Sequence, residues 1–153
     1  MKNIKQYAQD KISFGQKLLF FENKSLQLLK DIERMLVTNN INYKISEINV
    51  MLFESIYCIN LDIIIHDSNK LKDYNFSLFF EIDWLILAED NKKNTEKIII
   101  SIDDNEYNQH TKTMNNCFSI DKVISNVILL ITKVDQADLN HFNKEVINGK
   151  VLS

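Results

Sequence analysis

Apolar positions recur with two different periods along this chain, and the changes of period divide it into three stretches. In the first forty residues the spacing is helical. Ile4, Tyr7, Ala8 and Ile12 lie on one side, and Leu26, Leu29, Ile32, Met35 and Leu36 form a stronger stripe opposite Lys30, Asp31, Glu33 and Arg34. Ser25 is a candidate N-cap for that second helix, and Thr38-Asn39-Asn40 ends it. Between them Leu18-Leu19-Phe20-Phe21 is apolar all round, as a buried helix end or a short extended link would be.

The middle stretch has period two. Ile59, Leu61, Ile63 and Ile65 alternate with Asn60, Asp62, Ile64 and His66, a β-branched pattern that predicts a strand, and Asp67-Ser68-Asn69 predicts the turn after it. Phe76, Leu78, Phe80, Ile82, Trp84 and Ile86 predict a second strand, with Glu81 and Asp83 between them; Ile98, Ile100 and Ile102 predict a third. Residues 45–53 fit either period. Their closeness to the 56–66 run through Glu54-Ser55 favours a strand.

Helical spacing returns at the end. Ser119 precedes a stripe of Val123, Val127, Leu130 and Ile131 with Asp121 in its first turn. After Asp135-Gln136 a last helix carries Ala137, Leu139, Phe142 and Val146, with Gly149 as its stop. Helices, then successive strands with short connections, then helices predict an α+β fold: one domain over residues 1–153, with a mostly antiparallel sheet of about four strands. The helical stripes and the Ile59–Ile65 face should meet in one core, which makes Leu29 and Ile63 core positions.

Composition removes several classes of function. The 153 residues hold two glycines and no proline, so the clustered glycines of phosphate-cradling loops are absent. No apolar run is long enough for a transmembrane helix, and the polar N-terminal residues have no signal-peptide core, so the expectation is a cytoplasmic protein. Cys58 and Cys117 are too few and too far apart for a disulfide scaffold or a zinc motif, and read as reduced thiols. Ile, Asn and Lys, at 22, 19 and 17 residues, have A/T-rich codons and suggest an AT-rich microbial source. Arg34 is the single arginine and the net charge is −3, which disfavours a direct nucleic-acid binder.

Catalytic chemistry finds little support. His66, His110 and His141 show no metal-ligand spacing, and no serine sits in a nucleophile elbow, so no cofactor, metal or catalytic residue is assigned. The segment Glu81-Ile82-Asp83-Trp84-Leu85 resembles the acidic strand of PD-(D/E)xK nucleases, whose carboxylates hold a divalent metal. That resemblance makes Asp83 a metal ligand and Glu33 a possible helix acid, in an active or degenerate nuclease. Where the family carries Glu-x-Lys on the next strand, this chain has Ser101 and Asp103.

Charge supplies the stronger signal. From Glu81 to Glu106 there are eight acids and three lysines, a local net of −5, whereas the rest of the chain sums to +2. A small acidic single-domain chain without catalytic residues resembles bacterial immunity proteins. The resemblance implies a non-catalytic inhibitor that neutralises a cognate toxin, a basic nuclease above all, through its acidic surface. Its binding residues would be Glu89, Asp90, Asp103, Asp104 and Glu106, with Tyr107 as an aromatic anchor. Asp103 and Asp104 are expected at a strand end, where charge reversal changes folding by no more than about 0.5 kcal/mol.

Overall fold

A computed structural model of the chain describes residues 3–83 and 95–147. Its elements are α1 (Ile4–Thr38), β1 (Asn42–Phe53), β2 (Ile56–Asp67), β3 (Lys72–Asp83), β4 (Lys97–Asp103), β5 (Gln109–Asn115) and a final helix (Ile120–Ile147), called α2 here. The strands form an antiparallel meander in the order β1-β2-β3-β4-β5. This is the expected α+β architecture, with terminal helices on an antiparallel sheet. The sheet is larger than expected, with five strands among the described residues.

The core follows from strand register. Val50, Ile59, Phe80, Ile98 and Met114 are successive partners across the five strands, and the next row runs Ile48, Leu61, Leu78, Ile100. From β2 inward these apolar residues are buried against Phe21, Leu28, Ile32 and Leu36 of α1 and Val123, Leu130 and Val134 of α2. Both helices therefore cover one face of the sheet. The other face carries Asp62, Asn75, Ser77, Glu81, Thr111 and Thr113, alternating with the core residues as a half-covered antiparallel sheet requires.

Four expectations are corrected. The two N-terminal helices are one, because Asn3 caps its start in a capping box with Gln6 and no residue inside it breaks the hydrogen-bond ladder. Ser25 is an interior residue, fully buried, whose hydroxyl donates to the Phe21 carbonyl one turn back at 2.9 Å. The buried stripe is accordingly Phe21, Ser25, Leu28, Ile32 and Leu36; Leu29 and Met35 are only partly buried, and Leu26 is exposed. The C-terminal helices are also one, since Asp135 uses its carboxylate on lysines of β2–β3 and does not compete with the helix backbone. Trp84, Ile86 and Gly149 lie outside the described residues.

Candidate functional site

Antiparallel connection puts the β2–β3 turn and the β4–β5 turn at the same end of the sheet, and α2 passes over both. Its acids hold them. Asp135 accepts from Lys70 at 2.7 Å, from Lys72 at 3.1 Å and from the Tyr74 hydroxyl at 2.7 Å. Asp138, one turn on, pairs with Lys72 and also accepts the Asn105 backbone N–H at 2.8 Å. One helix face thus fastens two turns. Burial raises the Asp135 carboxyl, but the bonds from Lys70, Tyr74 and Lys72 outweigh it and hold the group below its ordinary range. Burial lowers the Lys72 ammonium, and Asp138 and Asp135 outweigh that in turn and raise it.

The β4–β5 turn is built around Asp104. Asp103 pairs with Gln109 as the last ladder position, leaving residues 104–108 to reverse the chain. The Asp104 carboxylate is buried under this turn. It accepts the N–H groups of Glu106 and Asn108, both at 2.9 Å, and lies 3.0 Å from His110 Nε2. The backbone adds Asp104 N–H to Asn108 O and Tyr107 N–H to Asp104 O, both at 3.0 Å. Burial raises the Asp104 carboxyl; the bonds from His110, Asn108 and Glu106 exceed it, so the group titrates below its ordinary range. Tyr107 adopts the left-handed region at φ 64°. An aromatic residue there costs about 1–2 kcal/mol, which the surrounding bonds must supply. Its side chain is 88% exposed.

The sequence-assigned residues now have places. Asp103, Glu106 and Tyr107 are exposed together on one short, internally bonded turn. Glu106 also contacts His141 of α2, which lies 3.2 Å from Glu145. Asp104 is buried and spent inside the turn, so it shapes the surface without belonging to it. The expected tolerance of charge reversal therefore does not extend to Asp104: a lysine there would leave the same N–H groups facing a cation. Glu89 and Asp90 lie outside the described residues. Sequence reading missed Asp135, Asp138 and His141. The signal is two acids at i, i+3 and a histidine three residues on, but Asp135-Gln136 also has the composition of a break between helices.

The nuclease-like residues are not gathered at this end. Asp103 falls one position beyond the Phe76–Ile102 pair, and Asp83 closes β3 at its opposite end, about 26 Å away at ~3.3 Å per residue. Asp83 and Glu81 line a cleft of about 370 Å³ with Glu96 and Lys97, where Lys24 of α1 pairs with Glu96. Ser101 is buried on the sheet and Glu33 is exposed on α1. Among the described residues no three His, Cys, Asp or Glu side chains come together as a metal site. Cys58 is buried, and burial with the charge of Glu81 pushes its thiol up to about 11, so it is a poor nucleophile. Among the described residues no helix is long and apolar enough to cross a membrane. Comparisons with known protein families, with curated proteins and with solved structures find no match for this chain.

Proposed function

We propose that the chain is a non-catalytic inhibitor of the immunity-protein type, which binds a basic toxin domain through the acidic β4–β5 turn. The observation that carries this reading is the Asp104-centred turn, which fixes an exposed Tyr107 between the exposed acids Asp103 and Glu106. An aromatic side chain held in one backbone geometry loses little freedom on binding, and acids around it steer and orient a basic partner. Inhibition follows by occlusion: the turn and the α2 end behind it cover a surface that the toxin needs. No bond is made or broken, so the inhibitor acts in fixed proportion to its target.

Capture from the source organism tests this directly. Wild-type protein as bait should retain a basic protein whose nuclease activity it inhibits, and Tyr107→Ala should lose most of that retention. Retention that ignores both Tyr107 and salt would move the binding face elsewhere. A second assay addresses the metal-dependent nuclease. With magnesium or manganese the purified chain should leave DNA and RNA intact; metal-dependent cleavage abolished by Asp83→Asn would overturn the inhibitor reading.

A further inference from the structure

The edge of the sheet opposite the β4–β5 turn is unusual for a stable domain. β1 has twelve residues, and among the described residues only β2 pairs with it. A long apolar edge strand is a template for further pairing, and proteins usually blunt one with charge, proline or a bulge. Here the bulge falls between Ile45 and Ile48 and the lysine, Lys44, lies before it. That half is guarded, and Tyr43 and Ile45 pack against the core. The other half, residues 48–53, reads Ile-Asn-Val-Met-Leu-Phe with no charge and no proline. Ile48, Val50 and Leu52 face the helix side of the sheet and Met51 and Phe53 the other, and all five are 43–70% exposed.

Helix α1 lies over the helix-covered face of the same sheet. Glu22 accepts from the Tyr57 hydroxyl on β2, while Lys24 reaches Glu96 beside β4. The flank on the Glu22 side of α1 therefore looks toward β1. Leu19 and Leu26, seven residues and thus two turns apart, lie on that flank and are half exposed.

We infer that residues 48–53 of β1 are the self-association edge of this chain, pairing antiparallel with the same segment of a second copy into one continuous sheet. The segment is its own complement. A two-fold axis perpendicular to the sheet at Val50 sets Val50 against Val50 and Ile48 against Leu52, all on the helix side. The apolar row Val50, Ile59, Phe80, Ile98, Met114 then runs on into the second copy. Residues 48–52, which pair among themselves about this axis, carry no charge, although each copy carries −3. Pairing closes the outward row of backbone N–H and C=O groups of both copies and covers the edge-facing part of the five exposed side chains, the two gains of strand addition. Being at the far edge of the sheet, the dimer leaves both β4–β5 turns open, and this inference does not depend on what those turns bind.

Sedimentation of the purified chain tests it. Wild type should sediment at twice its 18.0 kDa mass in the micromolar range. Val50→Lys and Val50→Glu should each sediment as monomers, with association weakened at least about tenfold. An equimolar mixture of the two should recover the dimer, because lysine then meets glutamate across the axis. Val50 is exposed, so melting temperatures should stay near wild type; the Leu52→Lys and Leu52→Glu pair repeats the test if either variant melts early. Amide exchange of 48–53 in wild type should slow as concentration rises, which needs no variant. A wild type that stays monomeric at about 100 µM, or a dimer indifferent to Val50→Lys, overturns the inference.

Discussion

Phe80→Ala should destabilise the fold by about 3–5 kcal/mol, the cost of removing a buried aromatic side chain and leaving its cavity. Phe80 is fully buried at the centre of the sheet, between Ile59 on β2 and Ile98 on β4, with its ring 6.2 Å from that of Phe118. Phe118 meets Phe21 of α1 edge to face at 6.1 Å, so one ring cluster joins sheet, helix and the entry to α2. Local collapse cannot refill the space, because each neighbour is fixed by its own contacts. Ile63→Ala and Leu28→Ala should each cost about 2–5 kcal/mol for the same reason. Leu29→Ala, expected at a full core cost from the sequence, should fall clearly below Leu28→Ala, since Leu29 is only partly buried. Denaturant unfolding of the four variants checks the order. Leu29→Ala matching or exceeding Leu28→Ala would place the wrong face of α1 on the sheet.

The Leu28 and Leu29 comparison shows where sequence reading succeeds and where it stops. Alternation settled β2, β3 and β4 because strands with one buried face declare it every second residue, and Ile59, Leu61 and Ile63 did so without interruption. Residues 45–53 fit both periods, so closeness to the 56–66 run, and not alternation, identified β1, and it gave no hint that Ile48, Val50 and Leu52 are exposed. Burial depends on what lies beyond the edge of the sheet, which no local pattern encodes. β5 was missed for the complementary reason. Its sequence, Gln-His-Thr-Lys-Thr-Met-Asn, buries Met114 alone, and its β-branched threonines were the only strand signal. The helices failed at their polar interiors. Ser25 and Asp135 look like breaks because serine and aspartate compete for backbone bonds; one is satisfied within its own helix and the other by distant lysines, and neither partner is visible locally.

The candidate site was legible in the same partial way. Clustered acids near Tyr107 were evident from charge counting, and their exposure on one turn follows from the β4–β5 pairing. The separate task of Asp104 was not evident. Asp103 and Asp104 are chemically identical neighbours, and only the reversal of the chain turns one carboxylate outward and the other under the turn.

That difference gives the prediction with the widest consequences. Asp104→Ala should destabilise the protein by about 2–3 kcal/mol, because the N–H groups of Glu106 and Asn108 and the His110 ring lose their shared acceptor in a partly buried turn. Asp103→Lys, at an exposed position, should stay within about 0.5 kcal/mol. Binding should separate the two differently. Asp103→Lys should lower the association rate, more so at low salt, since the Debye length is about 8 Å at 0.15 M and longer below it. Asp104→Ala touches no partner, yet it releases Tyr107 from its left-handed geometry and should raise the dissociation rate toward that of Tyr107→Ala, a loss on the order of 2 kcal/mol. The pH dependence carries its own signature. The folded-state carboxyls of Asp104 and Asp135 lie below their ordinary value of 3.8, so their stabilisation is full above that value and is lost as pH falls through the folded-state values. Wild type should therefore lose stability on acidification below about pH 4, and Asp104→Ala should lose less over the same interval. Thermal melts across that interval measure the difference. Parallel curves for the two proteins would mean that Asp104 does not hold the turn as a carboxylate, and with it would go the reason for Tyr107 to be held ready for a partner.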